Sequence, residues 1–364
     1  MNSIPFKTRL GLELFRAYRA IQIKLHELNY LLWECTLRCN LNCKHCGSDC
    51  TRDSEVPDMP AADFLRILDK IAEEYNPHNV MIAITGGEPL LREDLEDCGR
   101  QIYKKGFPWG IVSNGYLLTA KRLVSLIRSG LRSVTVSLDG LQDTHNWLRG
   151  KNDSFQKALQ AIKFCASEHD LVFDAVTCVN KRNISELKEI KDLLLKTGVR
   201  KWRLFTIFPK GRATPVNELS LSDSEFRQMM DFIADCRNRK IIEVSYGCEG
   251  FLGEYEGKVR GSYFFCRAGI NVASVLADGS ISACPSLRED FTQGNIYKDD
   301  FLTCWHNRYG DMRNRNWART NKCKDCREFR YCNGNGLHLR VGPEKRLVMC
   351  HYEKIKGMSN FRDL

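Results

Sequence analysis

Cys39, Cys43 and Cys46 stand in the spacing C-x3-C-x2-C, and the run Gly86-Gly87-Glu88-Pro89 follows about forty residues downstream. Cysteine thiolate is the usual ligand of iron–sulfur iron, so three closely spaced thiolates can hold three corners of a [4Fe–4S] cube. The fourth iron then has no protein ligand, and an open metal position can take a substrate or cofactor. A bacterial ferredoxin run reads C-x2-C-x2-C-x3-C-P, so simple electron transfer fits this spacing poorly. Three cysteines say little in a chain with 17 of them; the glycine-rich run gives the pair its weight. A second set lies far downstream, Cys323-x2-Cys326-x5-Cys332 and then Cys350. Four thiolates with a C-x2-C pair suit either a cluster or a structural zinc ion.

These residues need elements to hold them. From residue 30 onward, β-rich apolar runs at 31–34, 80–84, 110–112, 133–138, 172–178 and 201–206 alternate with helical patterns. The helices are expected at 61–75, 94–104, 120–129, 154–167, 184–196 and 223–236. Six β–α repeats imply a parallel sheet with crossover helices. The pattern alone does not separate an open doubly wound sheet from a curved partial barrel. Glycines let a backbone approach a ligand closely, and the motifs fall at strand ends, where β/α barrels gather their active sites. G-x-G-x-x-G after a strand does not occur, nor does a P-loop.

After about residue 245 the predicted elements shorten, and eight of the 17 cysteines fall between Cys248 and Cys350. This reads as a second, cysteine-rich domain at 245–352, following a first at 29–240. Ahead of both, 10–28 reads as an amphipathic helix, with Leu10, Leu14, Tyr18, Ile21, Leu25 and Leu28 on one face and Arg9, Arg16, Arg19 and Lys24 on the other. Residues 1–28 are expected to pack on the next domain through the apolar face.

No apolar run nears the roughly 18–20 residues a membrane span needs, and the N-terminus lacks a signal-peptide h-region. Cytoplasm is the expected location, and there cysteines ligate metals more readily than they form disulfides. The net charge of +10 suits an anionic partner, but lysines and arginines are dispersed, without the basic stripe of a nucleic-acid binder.

The two cysteine sets and the Gly86–Pro89 run resemble the radical S-adenosylmethionine (SAM) superfamily with a C-terminal SPASM extension. The resemblance covers roughly 29–236 and the C-terminal cysteines, and implies an α/β fold, a partial (β/α)6 barrel of TIM type followed by the small cysteine-rich domain. It implies SAM on the open iron, with one electron from the cluster giving methionine and a 5′-deoxyadenosyl radical that abstracts hydrogen. By the same resemblance Gly86, Gly87, Glu88 and Pro89 receive the SAM amino group. His45 stands where the family carries an aromatic residue beside the adenine, and Arg149 near the SAM carboxylate. Asn114, Ser137 and Asp139 end the third and fourth strands and could hold the ribose or carboxylate; capping is the alternative for each. No catalytic acid or base stands out. Cys35 and Cys50 read as bystanders, since a fourth thiolate would block the iron SAM needs.

In the SPASM pattern Cys323, Cys326, Cys332 and Cys350 match the full ligand set of a second auxiliary [4Fe–4S] cluster. Only Cys266 and Cys284 match the first; the position four residues after Cys332 is Gly336 where the family has a cysteine. Cys248, Cys304 or His338 could complete that set. The implied function is oxidative modification of a peptide or protein, maturase type, fed by a reducing donor such as a flavodoxin or ferredoxin and requiring anaerobic handling. About 28 residues precede the first strand, too few for an added peptide-recognition domain. The last hundred residues are similar to a subgroup paired with small lipoproteins. The alternatives are a small-molecule radical SAM oxidoreductase of cofactor or haem biosynthesis and a non-catalytic zinc or iron–sulfur protein.

Overall fold

The computed structural model describes residues 4–213, 219–247, 249–288 and 291–357. The predicted alternation is realised as α1 (Phe6–Leu25), β1 (Tyr30–Thr36), α2 (Ala61–Glu74), β2 (Met81–Gly86), α3 (Leu95–Lys104) and β3 (Trp109–Ser113). There follow α4 (Ala120–Arg128), β4 (Leu131–Ser137), α5 (Gln142–Arg149), which lies outside the expected helices, α6 (Ser154–Ser167), β5 (Val172–Val179), α7 (Leu187–Lys196), β6 (Lys201–Thr206) and α8 (Asp223–Arg239). Strands β1 to β6 lie side by side in chain order, all parallel. Each strand runs apolar because helices cover the sheet; Trp33 of β1, for example, stacks on Phe64 of α2 with ring centroids 4.4 Å apart. Burying such a side chain contributes about 1.5–3 kcal/mol. Local signals set the helix starts: Thr119 caps α4, and Ser222 with Glu225 forms a reciprocal capping box on α8.

The sheet does not stop where sequence patterning ends. A seventh parallel strand, β7 (Glu243–Tyr246), joins β6, and β8 (Val272–Val275) joins β1 in parallel at the other side. Two antiparallel strands, β9 (Ser280–Ser282) and β10 (Gly294–Asn295), extend that edge to ten strands in an open sheet. The cysteine-rich region is therefore sewn onto the first strand of the barrel-type unit. Strands of two to four residues carry too little periodicity to be read from sequence.

Helix α1 corrects an expectation. Leu10, Leu14, Tyr18, Ile21 and Leu25 face solvent, 41–69% exposed, while Leu12 and Arg19 are buried; of the predicted apolar face only Leu28, beyond the helix, is buried. The reason is hydrogen bonding: the Arg19 guanidinium donates to the carbonyls of Tyr331 and Arg330, at 2.6 and 2.7 Å. Glu13 accepts from the Tyr331 hydroxyl at 2.6 Å and pairs with Arg330. The polar side of α1 thus grips the segment that carries Cys332.

Candidate active site

The parallel sheet sends every strand's C-terminal end to one mouth. The loop after β1 carries Cys39, Cys43 and Cys46, the first two buried, with Leu37, Leu41, Cys50 and Tyr116 packed around them. Its backbone is fixed from β2: Gly87 N–H donates to Thr36 O and Glu88 N–H to Arg38 O, both at 2.9 Å. A Cβ on Gly87 would sit 2.1 Å from Arg38 O, so only glycine permits this approach.

Of the predicted residues, Glu88 is fully buried and its carboxylate is engaged: it accepts from Ser113 Oγ at 2.9 Å, Asn114 N–H at 2.8 Å and Leu90 N–H at 3.1 Å. Pro89 opens a short 3-10 turn behind it. Asn114 is thereby aimed at the loop, with Nδ2 2.8 Å from Asn40 Oδ1 and 3.9 Å from Cys39 Sγ. Arg149, at the end of α5, reaches Cys43 Sγ at 3.6 Å while its Nε and Nη2 donate to Asp139 Oδ2 at 2.7 and 2.5 Å. His45 Nε2 lies 3.7 Å from the same oxygen. Ser137 ends β4 and is half-buried.

Electrostatics sort these groups. Burial pushes the Cys39 thiol up to about 11 and raises Cys43 against the pull of Arg149. Cys46 is drawn below the ordinary thiol range by the Cys50 thiol and N–H and by Arg212, which makes Cys50 a donor to the cluster loop. Burial would raise Asp139, but Arg149, the two histidines His45 and His145 and the Cys178 N–H together hold it below the ordinary carboxylate range, and burial lowers His45 to about 4, leaving a neutral imidazole. Ligand atoms of His45, Asp139 and Cys178 close to within 4.8 Å of one another, the one such trio among the described residues. With Asp139 already holding a guanidinium, a cation there would have to displace Arg149.

Sequence reasoning missed Asn40, Cys178 and the segment after β6. Arg212 Nε donates to Cys43 O at 2.8 Å, its Nη1 to Cys50 O at 2.9 Å, and its N–H to Cys46 O at 3.0 Å. Asn40 sat inside the cysteine motif; nothing in the sequence links Arg212 to a loop about 165 residues earlier.

The C-terminal cysteines converge too. Burial first, then Cys350, Cys323 and Cys326, raise the Cys332 thiol, so the four share one neighbourhood. Asn335 N–H donates to Cys332 Sγ at 3.1 Å and Arg340 Nη2 to Cys323 Sγ at 3.7 Å. Cys266 and Cys284 face each other beside His338 across a cavity of about 320 Å³. Burial would raise Cys266, but Arg315 and the N–H groups of Leu337 and Ala268 bring it below the ordinary range. Cys304 lies elsewhere, in the helix Phe301–Asn307 against Gly294, and Cys248 falls outside the described residues.

An open parallel sheet with three cysteines at its mouth and a cysteine-rich extension defines a class of iron–sulfur enzyme. Residues 33–194 match the radical SAM superfamily and residues 266–327 the SPASM iron–sulfur cluster-binding domain. The chain belongs to the radical SAM superfamily and carries a SPASM domain, and its cofactors are SAM and [4Fe–4S] clusters. It is 26% identical over 335 residues to the Fe-coproporphyrin III synthase of Methanosarcina barkeri, covering 84% of this chain and 82% of that protein. It is 26% identical over 336 residues to the mycofactocin maturase MftC of Mycobacterium tuberculosis, covering 89% and 83%. Its fold is similar to that of Streptococcus suis SuiB bound to the precursor peptide SuiA, at TM-score 0.69 and 18% identity over 88% of this chain and 75% of that one.

The residues present fit these groups. Asn40 Nδ2 and His45 Nδ1 are buried at the cluster loop without a hydrogen-bond donor or acceptor opposite them among the described residues, as a site awaiting a polar ligand requires. Among the described residues no three of the C-terminal sulfurs close to within 4.8 Å, a spread that suits the corners of a cube better than one tetrahedral ion.

Proposed function

We propose that this radical SAM enzyme oxidatively modifies a peptide or protein substrate, and that residues 29–240 serve SAM while 245–352 serve the auxiliary clusters. When bound, the cluster and SAM would supply the one-electron chemistry by which hydrogen is removed from the substrate. In this reading Cys39, Cys43 and Cys46 hold the cluster. The backbone of Gly86 and Gly87 takes the SAM amino group, with Pro89 stiffening the exit. Glu88 acts at one remove, by aiming Asn114. Arg149 takes the SAM carboxylate, Asp139 and Ser137 the ribose, and neutral His45 lies along the adenine. Cys323, Cys326, Cys332 and Cys350 hold an auxiliary cluster.

One contact carries the reading. The Phe208 ring lies 3.6 Å from the place of a Cβ on Gly47, beside Cys46, and 4.9 Å from the His338 ring. One aromatic side chain therefore bridges the SAM half and the auxiliary half, and a substrate at the mouth would meet both. The peptide assignment draws on the maturase relative and on the SuiB fold. A second reading, a tetrapyrrole or other small-molecule substrate, is favoured by the similarity to the coproporphyrin synthase over most of both chains. A flavodoxin or ferredoxin in the cytoplasm would supply electrons in either case. The test is mass spectrometry of anaerobically reduced protein with SAM and, separately, candidate peptides and iron porphyrins. A peptide losing hydrogen in step with 5′-deoxyadenosine formation supports the first reading; porphyrin turnover alone replaces it with the second.

A further inference from the structure

Gly336 stands where the SPASM pattern has a cysteine, which leaves Cys266 and Cys284 one protein ligand short on the reading above. The space around it is not empty. A Cβ on Gly336 would lie 2.6 Å from His338 Cε1, 2.8 Å from His338 Nδ1 and 2.5 Å from Glu249 O. The His338 ring fills the volume a side chain at 336 would enter, and the Glu249 carbonyl closes the rest. That ring lines the same cavity as Cys266 and Cys284.

The cavity holds about 320 Å³ and is walled mainly by apolar groups, among them Leu287, Leu337 and Val272. An apolar cavity of about 150 Å³ already admits benzene, so this one accommodates a polyatomic group and exceeds the needs of a single ion. His338 Nε2 is buried with no hydrogen-bond partner among the described residues. Leaving such a nitrogen unpaired in apolar surroundings costs its full desolvation, and a metal ligand bond would offset it. Imidazole is a known substitute for thiolate on cluster iron, where it raises the reduction potential because it brings no negative charge.

We infer that Cys266, Cys284 and His338 together bind an iron–sulfur cluster, the histidine taking the ligand place that Gly336 cannot fill. The site rests on the SAM-and-auxiliary-cluster reading and deepens it. Phe208, packed on His338 and reaching Gly47, separates this cluster from the SAM loop by a single ring. One iron of a four-iron cluster keeps no protein ligand, so the site can also take a substrate heteroatom.

The test is reconstitution of the full chain with iron and sulfide under anaerobic conditions, after growth with 15N-histidine. Three cubes give about twelve irons per chain. Pulsed EPR of the reduced protein should show a 15N coupling from a directly bound imidazole. His338→Ala should drop to about eight irons and lose the coupling. His338→Cys should keep about twelve, lose the coupling, and show a lower potential for the affected cluster. Wild-type protein with about eight irons and no 15N coupling overturns the inference while leaving the other two clusters standing. Fewer than eight would instead strike the reading it rests on. If His338 only packs on Phe208, His338→Ala will lower the melting temperature yet keep its irons, which also overturns the inference.

Discussion

The two cysteine sets are held by different means. The loop of Cys39, Cys43 and Cys46 hangs from the ends of parallel strands, fixed by backbone hydrogen bonds from Gly87 and Glu88 to Thr36 and Arg38. The C-terminal set sits on short helical turns, and arginines bind it from outside. Arg315 reaches Asn335 O at 2.9 Å, Arg340 reaches Gly334 O at 3.0 Å, and Arg19 arrives from the far end of the chain. A sheet end keeps its geometry without metal. A loop pinned by side chains draws much of its stability from the group it binds.

That contrast predicts unequal responses to losing one thiolate. Cys43→Ala should abolish 5′-deoxyadenosine formation, since a methyl group cannot replace a cluster corner, while the melting temperature changes little. Retained cleavage would sink the SAM site; a large melting shift would sink the claim that the strand ends, with Arg212, hold the loop without a bound group.

Cys326→Ala should lose about four irons, keep some uncoupled SAM cleavage, and form no product. Its melting should suffer more than that of Cys43→Ala, because the Cys323–Cys350 region loses its organising group. A soluble Cys326→Ala chain that lacks the cluster and turns over substrate normally would make that cluster purely structural. One zinc in place of those irons would restore the zinc alternative.

The same contrast explains what could be read from the sequence. The six strands and their helices were legible because apolar runs and helical periods alternate over long segments, and the candidate site residues could be placed at one mouth because they end those strands. Strands β7 to β10 were not, being two to four residues long. Helix α1 was misjudged because periodicity finds an apolar stripe but not its partner: here Leu12 and Arg19, and not Leu14, are the buried residues. Gly336 was visible as a departure from pattern, but only three dimensions show the His338 ring standing in its space.

Arg19→Ala probes the latch. It leaves the carbonyls of Arg330 and Tyr331 without their charged donor, a cost of about 3 kcal/mol for two such bonds. Amide exchange should quicken across 326–335 and iron should be lost there, with SAM cleavage retained. Unchanged exchange in that segment would show that the cluster region stands without α1.

The smallest effect concerns acid. His145 is 1% exposed in the sheet half, and its Nδ1 accepts from Asp139 N–H at 3.0 Å, so the ring is held neutral. Burial, reinforced by the charge of Arg149, lowers its pKa to about 3, against about 6.5 in the unfolded chain. Between these values the unfolded state binds a proton that the folded state refuses, so stability falls as pH drops below about 6.5. His145→Asn keeps an acceptor for Asp139 N–H and removes the titrating ring. Melting at pH 7.5 and 5.5 should therefore show a smaller acid loss in His145→Asn than in the parent chain, by a few degrees. Equal losses would move the acid sensitivity off His145 and onto other buried groups, whether His45 at the same strand ends or His338 in the arginine-pinned half.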